Sequence, residues 1–209
     1  MGNLRVAFIV IALALIAANA VAQTEKNVVF LGDSLTAGYG IDPDDAFPAL
    51  IEKKIAEQHL PYHVENAGVS GDTTAGGLRR IDWLLQNKID VLVVELGGND
   101  GLRGLPIEAM KSNLRTIIAK VRAKNPEAKI VIAGMRIPPN VGIEYSASFK
   151  RAFDDLAGET HATLIPFLLE NVGGIRDLNQ PDMIHPTAAG HHIIADTVWR
   201  VLEPILRQG

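Results

Sequence analysis

The chain has 209 residues, 47% of them hydrophobic and 21% charged, which excludes intrinsic disorder and suffices for one domain with a substantial core. Its net charge of -4 comes without long runs of one sign, so no basic stripe marks a nucleic-acid partner. Cysteine is absent, which removes disulfides and thiol nucleophiles alike, and the six histidines are too scattered for a metal store.

The N-terminus is expected to stand apart from the fold. Met1 to Arg5 is positively charged, and Val6 to Ala18 is an apolar run of about thirteen residues, the length of a signal-peptide core. Ala20-Val21-Ala22 supplies small residues at a cleavage site, which places cleavage before Gln23. Residues 1-22 are thus expected to be a signal peptide and 23-209 a single domain, periplasmic or secreted. An uncleaved anchor is the alternative, but the run falls short of the roughly twenty residues that a spanning helix needs.

Beyond Gln23, strand-like runs alternate with amphipathic stretches. Val28-Val29-Phe30-Leu31 predicts a buried strand, and Asp42 to Gln58 contains a helix with Phe47, Leu50, Ile51 and Ile55 at helical spacing. A short strand follows over Tyr62 to Asn66, then a helix over Thr73 to Gln86 and the clearest strand, Val91-Leu92-Val93-Val94. Ile107 to Lys124 predicts a helix with Pro106 near its start, and Lys129 to Ala133 a fourth strand. A helix over Tyr145 to Thr160, a short fifth strand at Leu164-Ile165 and a helix over Thr187 to Leu206 complete the series. Such alternation implies an α/β fold with a parallel five-stranded sheet covered on both faces. Ligands of such sheets bind beyond the carboxyl ends of the strands. Ser34 follows the first strand, Gly71 the second and Asn99 the third, so all three fall on one edge.

Gly32-Asp33-Ser34-Leu35 offers a serine where a strand gives way to a turn, although Asp33 and Ser34 would also serve as helix caps. The pentapeptide ends on Thr36, so it is not Gly-x-Ser-x-Gly and an ordinary α/β-hydrolase is disfavoured. A serine hydroxyl needs a base. His185 is the best candidate, because Asp182 precedes it by three residues, a spacing that puts two side chains on one side of a helical turn. The carboxylate could then hold Nδ1–H and leave Nε2 free, and Pro186 would suit the first turn of the last helix. His191 and His192 are adjacent and point about 100° apart on a helix, so they cannot both face a site. Zinc at Asp182, His185 and His192 lacks a recognised ligand spacing. Gly97-Gly98-Asn99-Asp100 reads alone as a turn, yet Asn99 offers an amide to an oxyanion, beside backbone N–H groups of Gly71 and Ser34. Together these segments point to a serine hydrolase.

Gly32-Asp33-Ser34-Leu35, Gly71 within Asn66 to Thr73, Gly97-x-Asn99-Asp100 and Asp182-x-x-His185 resemble the four blocks of the SGNH (GDSL) hydrolases. The stretch from Val94 to Gly104 resembles a narrower branch, the bacterial multifunctional thioesterase I/lysophospholipase and related exported arylesterases. The resemblance runs from about Val28 to the final helix. It implies a flavodoxin-like three-layer α/β/α sandwich, a catalytic triad of Ser34, Asp182 and His185, and an oxyanion hole of Ser34, Gly71 and Asn99. It also implies acyl-enzyme chemistry on carboxylic esters and thioesters, with no metal and no organic cofactor. The expected partner is a small-molecule acyl ester or thioester, the expected state a monomer without a stable membrane anchor after signal cleavage. Two positions depart from the family pattern. Met183 stands where glycine is common, an expected stiffening of the loop, and Val141 replaces a tyrosine expected beside the acyl groove. Leu102, Leu105 and Ile107 are candidates to line that groove, or else pack back on the sheet. The alternatives are a carbohydrate O-deacetylase of the same family and a non-catalytic acyl-binding protein.

Overall fold

Val28 to Leu31 have no exposed surface, because β-branched and aromatic side chains pack on both faces of a strand that has neighbours on both sides. The computed structural model describes residues 25–208, so the expected signal segment, 1-22, lies outside the described residues. Five strands form one parallel sheet in the order β2-β1-β3-β4-β5: β1 (Lys26–Gly32), β2 (Tyr62–Gly68), β3 (Val91–Glu95), β4 (Lys129–Ala133) and β5 (Thr163–Ile165). The helices are α1 (Ser34–Ala37), α2 (Phe47–Glu57), α3 (Thr74–Leu84), α4 (Gly98–Leu102), α5 (Ile107–Lys124), α6 (Ile143–Thr160) and α7 (Ala188–Arg207). The strand order is that of flavodoxin-like sheets. Helices α2 and α7 pack together, while α5 packs against both α3 and α6. The outcome is the expected three-layer α/β/α sandwich with its core on both faces of the sheet.

The predicted elements are present, with ends displaced by a few residues where a cap or the sheet register decides. Thr73 and Thr187 are N-caps, each accepting from the backbone N–H three residues on, so α3 and α7 begin one residue later than expected. Pro186 is outside α7, bridged instead to Asn179. Apolar periodicity gave no sign of the one-turn helices α1 and α4, which are too short to show a period. No helix among the described residues is long and apolar enough to cross a membrane.

Strand order reverses at β1: the chain moves to β2 on one side and returns to β3 on the other. A crevice opens beyond the carboxyl ends at such a point. The β1–β3 register sets Gly32 beside Glu95 at its floor.

Candidate active site

Ser34 is the first residue of α1, directly after β1. Asp33 caps that turn, its Oδ1 accepting from the Leu35 N–H at 3.0 Å, and Gly38 closes it with φ 71 in the left-handed region. The cap and the serine are therefore combined in one turn, with Ser34 itself largely buried at the sheet edge. Gly32 has to be glycine here: a Cβ would collide with the Thr36 side chain and come within 2.7 Å of Glu95 Oε2.

Ser34 Oγ lies 3.0 Å from His185 Nε2, and His185 Nδ1 lies 2.6 Å from Asp182 Oδ2. The last pair forms for a different reason than helical spacing. Asp182 Oδ1 accepts from the backbone N–H groups of Ile184 (2.9 Å) and His185 (3.0 Å), a turn closed by the side chain, and Met183 inside it has φ 59. The position thus demands the left-handed conformation that glycine adopts freely, which is a more specific consequence than the expected stiffening. The His185 hydrogen bond, followed by the two backbone donors, pulls the Asp182 carboxyl down to about 2.

This segment is strapped to the Ser34 side. Gln180 Nε2 donates to the Tyr39 carbonyl at 2.7 Å and to the Pro186 carbonyl at 3.0 Å, and the Tyr39 ring leans on His185 with centroids 4.6 Å apart. Asn179, buried, donates to the carbonyls of Val172 and Ile175.

Asn99 lies in the first turn of α4, reached through Gly97 at φ 115. Its Nδ2 donates to Asp33 Oδ2 and to the Asp72 carbonyl, both at 2.9 Å. Asp100 beside it faces inward and accepts from the Thr74 N–H (2.9 Å) and hydroxyl (2.6 Å), which ties α4 to the start of α3. Gly71 follows β2 at φ 80 and is exposed; its carbonyl accepts from Arg103 at 3.0 Å, and it is not among the cavity-lining residues.

A cavity of about 400 Å³ opens beside Ser34, Asn99 and His185. Its apolar wall comes from Leu102 of α4, Met135, Ile137 and Pro138 after β4, Phe167 and Leu169 after β5, and Met183 and Ile184. Of the three expected groove residues only Leu102 lines it; the Leu105 carbonyl is taken by the Tyr145 hydroxyl and Ile107 packs on the core. Val141 also packs on the core rather than on the cavity. Arg136 reaches the lining with its guanidinium 4.5 Å from the Phe167 ring centroid, a cation–π contact. The residues after β4 and β5 escaped the sequence reading, although the rule that ligands sit beyond strand ends applies to them equally.

The remaining histidines are elsewhere. His191 is buried, its Nδ1 accepting from the Phe47 N–H at 3.1 Å, and burial pushes its imidazole down to about 4. His63 pairs with Glu52 at 3.3 Å, a partner the sequence did not disclose. Among the described residues no cluster of histidine and carboxylate side chains could hold a metal ion.

The model of the GDSL-like lipase/acylhydrolase family matches residues 30–193. Esterase TesA of Pseudomonas aeruginosa is 40% identical over 197 residues, covering 94% of this chain and 96% of that protein. Thioesterase 1/protease 1/lysophospholipase L1 of Escherichia coli K12 is 37% identical over 186 residues, 88% of this chain and 87% of the relative. A crystal structure of TesA superposes with a TM-score of 0.82 at 39% identity, over 86% of this chain and 99% of that one.

Proposed function

Because the chain belongs to the GDSL-like lipase/acylhydrolase family and is an ester-bond hydrolase, we propose that Ser34, His185 and Asp182 carry the reaction on acyl esters and thioesters. The observation that carries this reading is the unbroken line of contacts from Ser34 Oγ through both nitrogens of His185 to Asp182. Ser34 Oγ attacks the acyl carbonyl as His185 Nε2 takes its proton, and the carbonyl π pair moves to oxygen as an oxyanion. Donors to that oxyanion are the Ser34 N–H, the Gly71 N–H and the Asn99 amide. Collapse expels the alkoxide or thiolate, which receives the proton from His185. Water, deprotonated by the same nitrogen, then releases the acid and restores the serine. Asp182 holds the imidazole in the tautomer that both steps require.

The substrate's acyl chain fits the apolar wall, which argues for arylesterase, thioesterase and lysophospholipase substrates over an acetylated sugar. Arg136 is the cation at that lining and suits a leaving group that carries a phosphate. In this proposal residues 1-22 are removed on export and 23-209 acts as a monomeric domain, free of the membrane.

The test compares hydrolysis of p-nitrophenyl butyrate by the mature protein and its Ser34→Ala variant, with fluorophosphonate labelling of both. Turnover and labelling in the first, and neither in the second, is the expected result. Equal rates would remove Ser34 from the mechanism. Labelling of Ser34 with turnover confined to O-acetylated glycans would move the substrate to the deacetylase class, and no labelling at all would leave an acyl-binding protein.

A further inference from the structure

Glu95 ends β3 with no exposed surface. One oxygen is well served: the Thr36 hydroxyl donates to Oε2 at 2.8 Å and the Asp33 N–H at 3.2 Å. The other, Oε1, is buried and accepts from nothing among the described residues. A second buried carboxyl, Asp33, adjoins this one: its backbone N–H is bonded to Glu95 Oε2, and the two side chains are near enough for each to bias the other's protonation. Two ionised carboxylates in contact out of water repel strongly, and one proton between them removes the repulsion and satisfies the bare oxygen at once.

The two partners are unequally equipped to hold the remaining charge. Asp33 accepts from the Leu35 N–H and from Asn99 Nδ2, and His185 lines the same cavity. Among the described residues Glu95 has no cation beside it: Arg80 spends its guanidinium on Asp72 and on the carbonyls of Gly32 and Ala67. Burial first, and the Asp33 charge second, push the Glu95 carboxyl well up. We propose that Glu95 stays a neutral carboxyl that donates its proton to the Asp33 carboxylate, and thereby acts as a positioning residue for the Asn99 amide.

This role rests on the esterase mechanism given above. Asn99 Nδ2 is held on both sides, by Asp33 Oδ2 and the Asp72 carbonyl, so its N–H groups must be shared with an oxyanion as one forms. An Asp33 carboxylate that already accepts from Glu95 and Leu35 binds the amide less tightly and yields an N–H more readily. The proton also leaves one negative charge behind the oxyanion instead of two, which lowers the electrostatic opposition to the transition state.

Glu95→Gln and Glu95→Met separate this role from simple packing. Glutamine keeps an oxygen for Thr36 and the Asp33 N–H and an N–H for Asp33, so it should retain most of kcat. Methionine removes all three and should lower kcat by about 10- to 100-fold with little change in KM. In an Asn99→Ala background the methionine loss should disappear, because the effect passes through that amide. Two readouts need no substrate. The infrared C=O band of a protonated carboxyl should be present at neutral pH and missing from Glu95→Gln. The Tm advantage of Glu95→Gln over the parent should also grow as pH rises above the ordinary carboxyl range, where the unfolded chain has lost the proton that the folded one keeps. Absence of the band overturns the proposal whatever the activity, and equal loss in both variants overturns the positioning role. A parent chain without esterase activity would overturn the mechanism of the preceding subsection and the positioning role with it, while the band still decides where the proton resides.

Discussion

The two halves of the candidate site are built in opposite ways. The Ser34 half is buried: Asp33 and Ser34 sit on the end of a central strand, under a network that runs through Glu95, Thr36 and Asn99. The His185 half is a surface turn whose members Asp182, Met183 and Ile184 are all exposed, shaped by its own carboxylate and strapped down by Gln180 and Asn179. Geometry on the first side is imposed by the sheet, and on the second by local hydrogen bonds. Substitutions should therefore cost stability chiefly on the Ser34 side and activity chiefly on the His185 side.

Asp182→Asn is the sharpest test of that contrast. It removes the acceptor of the Nδ1–H bond from an exposed turn, so kcat should fall by about 10³- to 10⁴-fold. Tm near neutral pH should hardly move, since asparagine still accepts from the two backbone N–H groups; a large loss of Tm would show that the turn is structural. The Asp182 carboxyl, depressed to about 2, keeps its charge at neutral pH, and stability drawn from its hydrogen bonds is lost only as pH falls from the ordinary carboxylate range through that value.

His191 anchors α7, the helix behind the His185 turn, to α2, and its neutral form is required for the bond from the Phe47 N–H. Its drop from 6.5 to about 4 corresponds to about 3 kcal/mol of stability, present above pH 6.5 and lost as pH falls toward 4. Urea unfolding across that window should show the slope in the parent. A His191→Gln variant should lack it, and an unchanged slope in that variant would assign the effect to other groups.

Glycine exchanges at the two turns should have opposite signs. Gly32→Ala forces a Cβ into Thr36 and toward Glu95, and should cost about 1–3 kcal/mol together with most of the activity. Met183→Gly relieves a left-handed residue worth about 1–2 kcal/mol, offset by about 0.5–1 kcal/mol of unfolded-chain entropy. Its net effect on stability should be a gain of at most about 1.5 kcal/mol, read by denaturant midpoint, while KM for acyl substrates rises because the side chain leaves the cavity wall. A loss at Met183→Gly equal to that at Gly32→Ala would erase the distinction between the halves.

The strands from Val28 to Leu31 and Val91 to Val94 were legible because unbroken apolar runs have few other uses in a chain of this kind. The pairing of Asp182 with His185 was legible as a spacing, although its cause is an aspartate-closed turn and not a helix. Pro186 was misplaced because a proline suits either a helix start or the bridge it makes to Asn179, and only the tertiary partner decides. The groove was only partly legible: Leu102 lines it, while Leu105 and Ile107 turn away, and the residues after β4 and β5 supply most of the apolar wall.

The sequence by itself determined the order of strands and helices, the edge of the sheet on which Ser34, Gly71 and Asn99 fall, and the family. These follow from periodicity and from short motifs, which are local properties. Tertiary structure alone decided that Glu95 lies beside Gly32, that Asp33 shares the Asn99 amide, and that the cavity wall is drawn from five separate segments. Strand register and the partners of a buried carboxyl are long-range quantities, set when distant segments exclude water together.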